Sequence, residues 1–168
     1  MKALFESPRI GFAAIFAICA GLIGYGVWLQ QARGLEPCPM CIMQRYAFVV
    51  AGLLALIGAL HGPGGWGRRI YSLLILLSAV GGASVAVRQS WLQHNPPKVT
   101  ECGADLDFML DSFPLSDALP MIFRGAGDCS KVDWTFVGLS MAEWALIWFA
   151  IIGLFAALLL FVRAARSR

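Results

Sequence analysis

Four stretches of this chain run without a charged side chain: Ile10–Ala32, Tyr46–Gly67, Ile70–Val87 and Trp144–Val162. Each is about 18 residues or longer, and a helix rising about 1.5 Å per residue crosses roughly 30 Å of hydrocarbon in that length. Helices that return across a bilayer satisfy their own backbone groups, as lipid requires. The pattern predicts an all-α membrane protein, a four-transmembrane-helix bundle forming a single integral domain over 1–168. The spans fall at about 10–29, 43–61, 70–88 and 142–162, and the outer loops at about 30–42 and 89–141. The second span ends at His61 before Gly62-Pro63-Gly64-Gly65, so a re-entrant segment is the alternative there.

Charge placement orients these spans. Lys2, Arg9, Arg68, Arg69, Arg163, Arg166 and Arg168 lie on short segments that hold one acid, Glu6. The other two loops hold Arg33, Arg45, Arg88, Lys98, Arg124 and Lys131 among far more acids. The positive-inside rule then puts both termini in the cytoplasm and both longer loops outside, which in a bacterium is the periplasm of the inner membrane. The net charge of +3 does not point to nucleic acid, because the basic residues gather at membrane edges. The overall balance, 59% hydrophobic and 14% charged, agrees with membrane lipid as the surroundings, since a soluble domain carries roughly 25% charged residues.

The segments between add detail. Ile10–Leu29 is too long for a signal-peptide core and lacks a small-residue cleavage site. Leu35-Glu36-Pro37-Cys38 faintly resembles a lipoprotein box, but Glu36 and Pro37 argue against it. Gly11, Gly21, Gly24 and Gly26 in the first span could admit a close helix neighbour, or simply reflect membrane composition. Trp66 fits an interfacial anchor. Asn95-Pro96-Pro97 breaks any helix, and a short amphipathic helix near 116–123 or a small packed outer domain would account for the apolar residues of the long loop. Ser140 and Glu143 have capping-box spacing at the start of the fourth span.

Chemistry concentrates in the cysteines. Cys19 lies mid-span and reads as a small packing residue. Cys38 and Cys41 form a Cys-x-x-Cys pair in one outer loop, and Cys102 and Cys129 lie in the other. The residues after Cys41 turn apolar at once, so Cys41 falls at or near a helix start, whose partial positive charge favours a reactive thiolate. Arg45, at i+4, shares its face. Three uses of the four cysteines compete. A tetrathiolate zinc site wants two close pairs, and the second pair is 27 positions apart. Structural disulfides suit Cys102–Cys129, where closing a loop of about 28 residues stabilises by roughly 3–4 kcal/mol, but a four-residue ring gains little. Redox exchange between the pairs, ending on an acceptor at the membrane, uses both spacings.

Beyond these residues the chain resembles the disulfide bond formation protein B family, DsbB. The resemblance rests on Pro37-Cys38-Pro39-Met40-Cys41-Ile42-Met43-Gln44-Arg45-Tyr46, on Cys102 with Asp107-Phe108-Met109, on Gly127-Asp128-Cys129, and on Trp134, Phe136 and Gly138-Leu139-Ser140-Met141-Ala142-Glu143-Trp144. It covers nearly the whole chain and implies a protein-disulfide:quinone oxidoreductase. Its partner would be a DsbA-like periplasmic thiol oxidant, and its cofactor ubiquinone or menaquinone from the quinone pool. It further implies that Cys102 takes the partner's attack, that the released Cys129 attacks Cys38, and that Cys41 is left as the thiolate beside the quinone, stabilised by Arg45. Gln89 and Met141 match positions lining the quinone pocket, and the family often carries histidine where Gln89 stands. No role is implied for Gln44, and His94 reads as a solvated loop residue. Two rival readings remain. A vitamin K epoxide reductase-like enzyme places its Cys-x-x-Cys late rather than early, and a membrane scaffold would hold two structural disulfides and no acceptor.

Overall fold

The computed structural model describes residues 8–34, 37–96, 127–130, 132 and 134–161. The apolar windows form four helices: α1 (Pro8–Arg33), α2 (Pro39–His61), α3 (Gly65–His94) and α4 (Met141–Phe161). Among the described residues, these four are long and apolar enough to cross a membrane. The second is one unbroken helix, so its span is not re-entrant.

Helix ends differ from the hydropathy edges for a physical reason: backbone hydrogen bonding continues where apolar side chains stop. α3 starts at Gly65 rather than Ile70, which places Trp66, Arg68 and Arg69 in its first turns. It runs on past Val87 to His94, where Asn95 N–H reaches back to Trp91 O and the prolines follow. Gln89 and His94 therefore stand on helix, not in a loop. α2 ends where Gly62 takes the left-handed conformation at φ 58° and its N–H bonds Gly58 O. α4 opens with the expected box: Ser140 N–H donates to Glu143 Oε2 at 2.7 Å, and Glu143 N–H to Ser140 Oγ at 3.4 Å.

Just before α4, β1 (Thr135–Phe136) and β2 (Leu139–Ser140) form a minimal antiparallel hairpin, pairing Thr135 with Ser140 and Phe136 with Leu139. Both turn residues have positive φ, 55° at Val137 and 79° at Gly138, the signature of a two-residue primed turn. A short 3₁₀ turn, Gly127–Ser130, carries Cys129. The amphipathic helix expected near 116–123 and the Cys102 segment lie outside the described residues.

The helices pack in sequence, α1 on α2, α2 on α3 and α3 on α4, while α1 and α4 scarcely meet. The bundle is thus an arc with a gap. Its core joins Phe12, Ile15 and Cys19 of α1 to Phe48, Ala51 and Ala55 of α2, and these to Ile75 and Ala79 of α3 and Phe149 and Ile152 of α4. Cys19 is a packing residue, as expected, lying against Gly52. The rings of Phe48 and Phe149 stack with centroids 3.9 Å apart. A β-carbon on Gly82 would clash with the edge of the buried Phe149 ring, so that crossing needs glycine. Of the first-span glycines, Gly21 and Gly24 do not play this part, since both face open space, whereas Gly26 lies against Arg45 of α2.

Candidate active site

Local sequence places the Cys-x-x-Cys pair on the end of α2. Pro39 takes the first helical position, where a missing N–H costs nothing. That makes Cys38 the N-cap, and its Sγ accepts from Cys41 N–H at 3.4 Å. Cys41 falls in the first turn, as the sequence suggested. The Cys38 thiol donates to Cys41 Sγ at 2.9 Å, so only a small movement separates the pair from a disulfide.

A third sulfur joins them. Cys129 is wholly buried among Met40, Val85 and Leu92, and Cys38 packs against the same cluster. Hydrogen bonding to the Cys129 thiol, then to Cys41, and then burial push the Cys38 thiol well above its ordinary value. Cys38 therefore sits between the other two sulfurs as a protonated thiol, in contact with both. The structure brings together Cys38, Cys41 and Cys129; Cys102 lies outside the described residues.

Two buried amides complete the sulfur surroundings. Gln89 Nε2 donates to Cys41 Sγ at 3.2 Å and to Cys38 Sγ at 3.4 Å. Gln44 Nε2 donates to Gln89 Oε1 at 2.7 Å. Sequence reasoning gave Gln44 no role. The available signal was a polar side chain on the same stripe of α2 as Phe48 and Ala51, both core residues.

On the other side of Cys41 a cavity of 340 Å³ opens, within the usual range for small-molecule sites. Cys41, Gln44 and Arg45 of α2 form one wall, Gly26 and Leu22 of α1 another, and Met141, Trp144 and Trp148 of α4 a third, with Trp134 and Phe136 across the mouth. Arg45 is one turn beyond Cys41 and is tied to α1: Nη1 donates to Gln30 Oε1 at 2.7 Å and Nη2 to Gly26 O at 3.4 Å. Gln30 is a second residue that the sequence did not single out. The Trp144 indole N–H donates to Phe136 O at 3.0 Å, and Trp134 stacks on Phe136 at 5.9 Å, so the hairpin is fastened to α4 as an aromatic panel. Met141 lines this cavity. Gln89 does not: it touches the sulfurs from the protein side. His94, at the end of α3, is exposed, with Nε2 3.8 Å from Glu143 Oε1.

A family model described as disulfide bond formation protein DsbB matches residues 8–159. This chain belongs to the DsbB family. It is 58% identical to disulfide bond formation protein B of Aromatoleum aromaticum, over 95% of this chain and 96% of that one. It is 57% identical to the protein of the same name from Azoarcus sp. strain BH72, over 99% and 100% of the two chains. The Acidovorax sp. strain JS42 protein of that name is 49% identical over 92% of this chain. The protein is thus an enzyme of disulfide bond formation and a multi-pass bacterial membrane protein. Membership in this family decides against the scaffold and the vitamin K epoxide reductase-like readings.

Proposed function

We propose that this enzyme reoxidises a DsbA-like periplasmic thiol oxidant and disposes of the electrons into membrane ubiquinone or menaquinone. Its termini are cytoplasmic and its sulfurs lie at the periplasmic edge of the inner membrane, an orientation that the distribution of Lys and Arg supports. The reading is carried by one observation: Cys41 and Arg45 share a wall of an aromatic cavity while Cys129 packs against Cys38.

The cavity fits a flat, largely apolar ring. Its lining is aromatic and aliphatic apart from Cys41, Gln44, Arg45, Met141 and the phenol of Tyr25. Arg45, Trp144 and Met141 would hold such a ring, with Arg45 as the donor to an oxygen of it. When bound, a quinone supplies a two-electron, two-proton sink renewed by respiration. Such a sink is needed, because DsbA is itself a strong oxidant, near about −120 mV, and its reoxidation runs only toward something stronger.

The chain's own residues perform the thiol exchange. The partner's thiolate attacks Cys102 of a Cys102–Cys129 disulfide, forming the mixed disulfide and releasing Cys129 as thiolate. The partner's second thiolate then displaces Cys102 and leaves the partner oxidised. Cys129 attacks Cys38 of the Cys38–Cys41 disulfide; the Cys129–Cys38 bond forms, the Cys38–Cys41 bond breaks, and the electron pair leaves on Cys41. Cys41 Sγ then lies in the cavity wall, accepting from Gln89, beside Arg45.

Purified enzyme is expected to couple oxidation of reduced DsbA to quinone reduction. Cys41→Ser should abolish quinone reduction, and a partner that has lost its second cysteine should be trapped on Cys102, because no thiolate is left to displace it. Unchanged turnover in Cys41→Ser overturns the scheme.

A further inference from the structure

Resting on the exchange scheme above, we infer that Gln44 is a positioning residue: it orients the Gln89 amide so that Gln89 donates to Cys41, the sulfur on which the electron pair leaves. Both amides are removed from solvent, Gln44 at 5% exposure and Gln89 at 2%. They come from different helices and meet at 2.7 Å. A primary amide can turn either end toward a sulfur. An oxygen so turned would suit a thiol, which can donate, and would repel a thiolate, which cannot. Gln44 sets that choice by turning its own nitrogen toward Gln89, where only an oxygen can accept. Its Nε2–H₂ occupies Gln89 Oε1, and Gln89 Nε2 is left facing Cys41 Sγ at 3.2 Å and Cys38 Sγ at 3.4 Å.

The position of Gln89 between the sulfurs has a consequence for the exchange. As Cys129 attacks Cys38, the Cys38–Cys41 bond opens and its electron pair moves onto Cys41. The N–H that already points at Cys41 needs no reorientation to meet that charge, and preorganised donors act most strongly where charge develops. In the reverse step, Cys41 attacks Cys38, the Cys38–Cys129 bond breaks, and the amide remains in contact with both sulfurs of the reforming ring. Gln89 touches the reacting atoms; Gln44 acts through it. A hydrogen bond between α2 and α3 would also hold the helices together, as polar pairs do in membranes, and the experiment must separate the two roles.

The test uses the full-length reduced enzyme in detergent, without partner or added quinone, so that it does not depend on the acceptor assigned to the cavity. The readout is the rate and pH profile of Cys41 alkylation by iodoacetamide, with the modified residue identified by peptide mass. Gln44→Met, close in length but without the amide, is expected to slow Cys41 alkylation at neutral pH about tenfold, the scale of one lost hydrogen bond to a charged sulfur. It should also move the profile to higher pH. Gln89→Met should do at least as much, and the double variant no more than Gln89→Met alone. A purely helix-joining role predicts a lower unfolding temperature with an unmoved profile, and that result overturns the inference. So does a double variant whose effect is the product of the two single ones. Should either Met variant fail to fold, Gln44→Leu and Gln89→Leu carry the same comparison.

Discussion

The guanidinium of Arg45 has a fixed place because two acceptors on α1 hold it, Gln30 Oε1 and Gly26 O. A lysine could reach one of them but lacks the planar fork. Arg45→Met is therefore expected to lower quinone-coupled turnover about tenfold or more, the scale of a charge-assisted hydrogen bond of about 1.5–3 kcal/mol. Gln30→Leu should lose less, since Gly26 O still holds one arm, and the loss should fall on the KM for quinone. Steady-state kinetics with a soluble quinone check both, and an Arg45→Met enzyme with normal KM and turnover would remove Arg45 from the site. The placement of Cys41 and Arg45 on one face was readable from their i, i+4 spacing. Gln44 was visible only as a polar residue on the core stripe of α2, without its partner, and Gln30 was not visible, because a hydrogen bond to a neighbouring helix leaves no periodic trace in the sequence. Gln89 illustrates the same limit: its position could be matched to a family, but only packing shows it lying behind the sulfurs rather than in the cavity.

At the next scale, the elements that shape the cavity mouth have identifiable local causes. Ser140 and Glu143 start α4 through a reciprocal cap, legible as spacing alone. The hairpin before it was not legible. Its strands are two residues each, too short for an alternating pattern, and its turn places valine where φ is 55°. A β-branched residue there is disfavoured, and such backbone strain is on the order of 1–3 kcal/mol. Val137 is also largely exposed, so no buried contact offsets that strain. Val137→Asn, which tolerates this conformation, is expected to raise the unfolding temperature while leaving the Trp134–Phe136–Trp144 panel in place. A calorimetric scan with tryptophan fluorescence checks both at once; a lowered transition would show that the tip has a partner that needs valine. The reach of α3 to His94 belongs at this scale too. Hydropathy marks where lipid ends, but the helix stops only after Asn95 N–H bonds Trp91 O, because the prolines that follow have no N–H to donate.

Across the whole molecule, the four helices form an arc, and the cavity occupies the place where α1 and α4 fail to close it. The number of spans was legible because charge-free windows are long; the gap was not, because lipid and protein interior favour the same apolar side chains. The arc also separates two tasks. The Cys38–Cys129 contact lies in a cluster built from α2, α3 and the 3₁₀ turn, whereas the cavity is built from α1, α2 and α4. Cys38 and Cys41, side by side at 2.9 Å, connect them, and so does the Gln44–Gln89 pair behind the two sulfurs. Filling the cavity should therefore stop electron exit while leaving sulfur exchange intact. Ala145 is suited to the purpose, since it lines the cavity on α4 and takes no part in the sulfur cluster. Ala145→Phe is expected to lower quinone-coupled turnover at least tenfold, about 1.4 kcal/mol or more in the barrier. The same variant, prepared oxidised, should still form the mixed disulfide between Cys102 and reduced DsbA at the wild-type rate. Quinone reduction and rapid-quench thiol trapping read the two halves separately. If both fell together, the cavity and the sulfur cluster would be one mechanical unit; if neither fell, electrons would leave the sulfurs by a route other than the gap between α1 and α4.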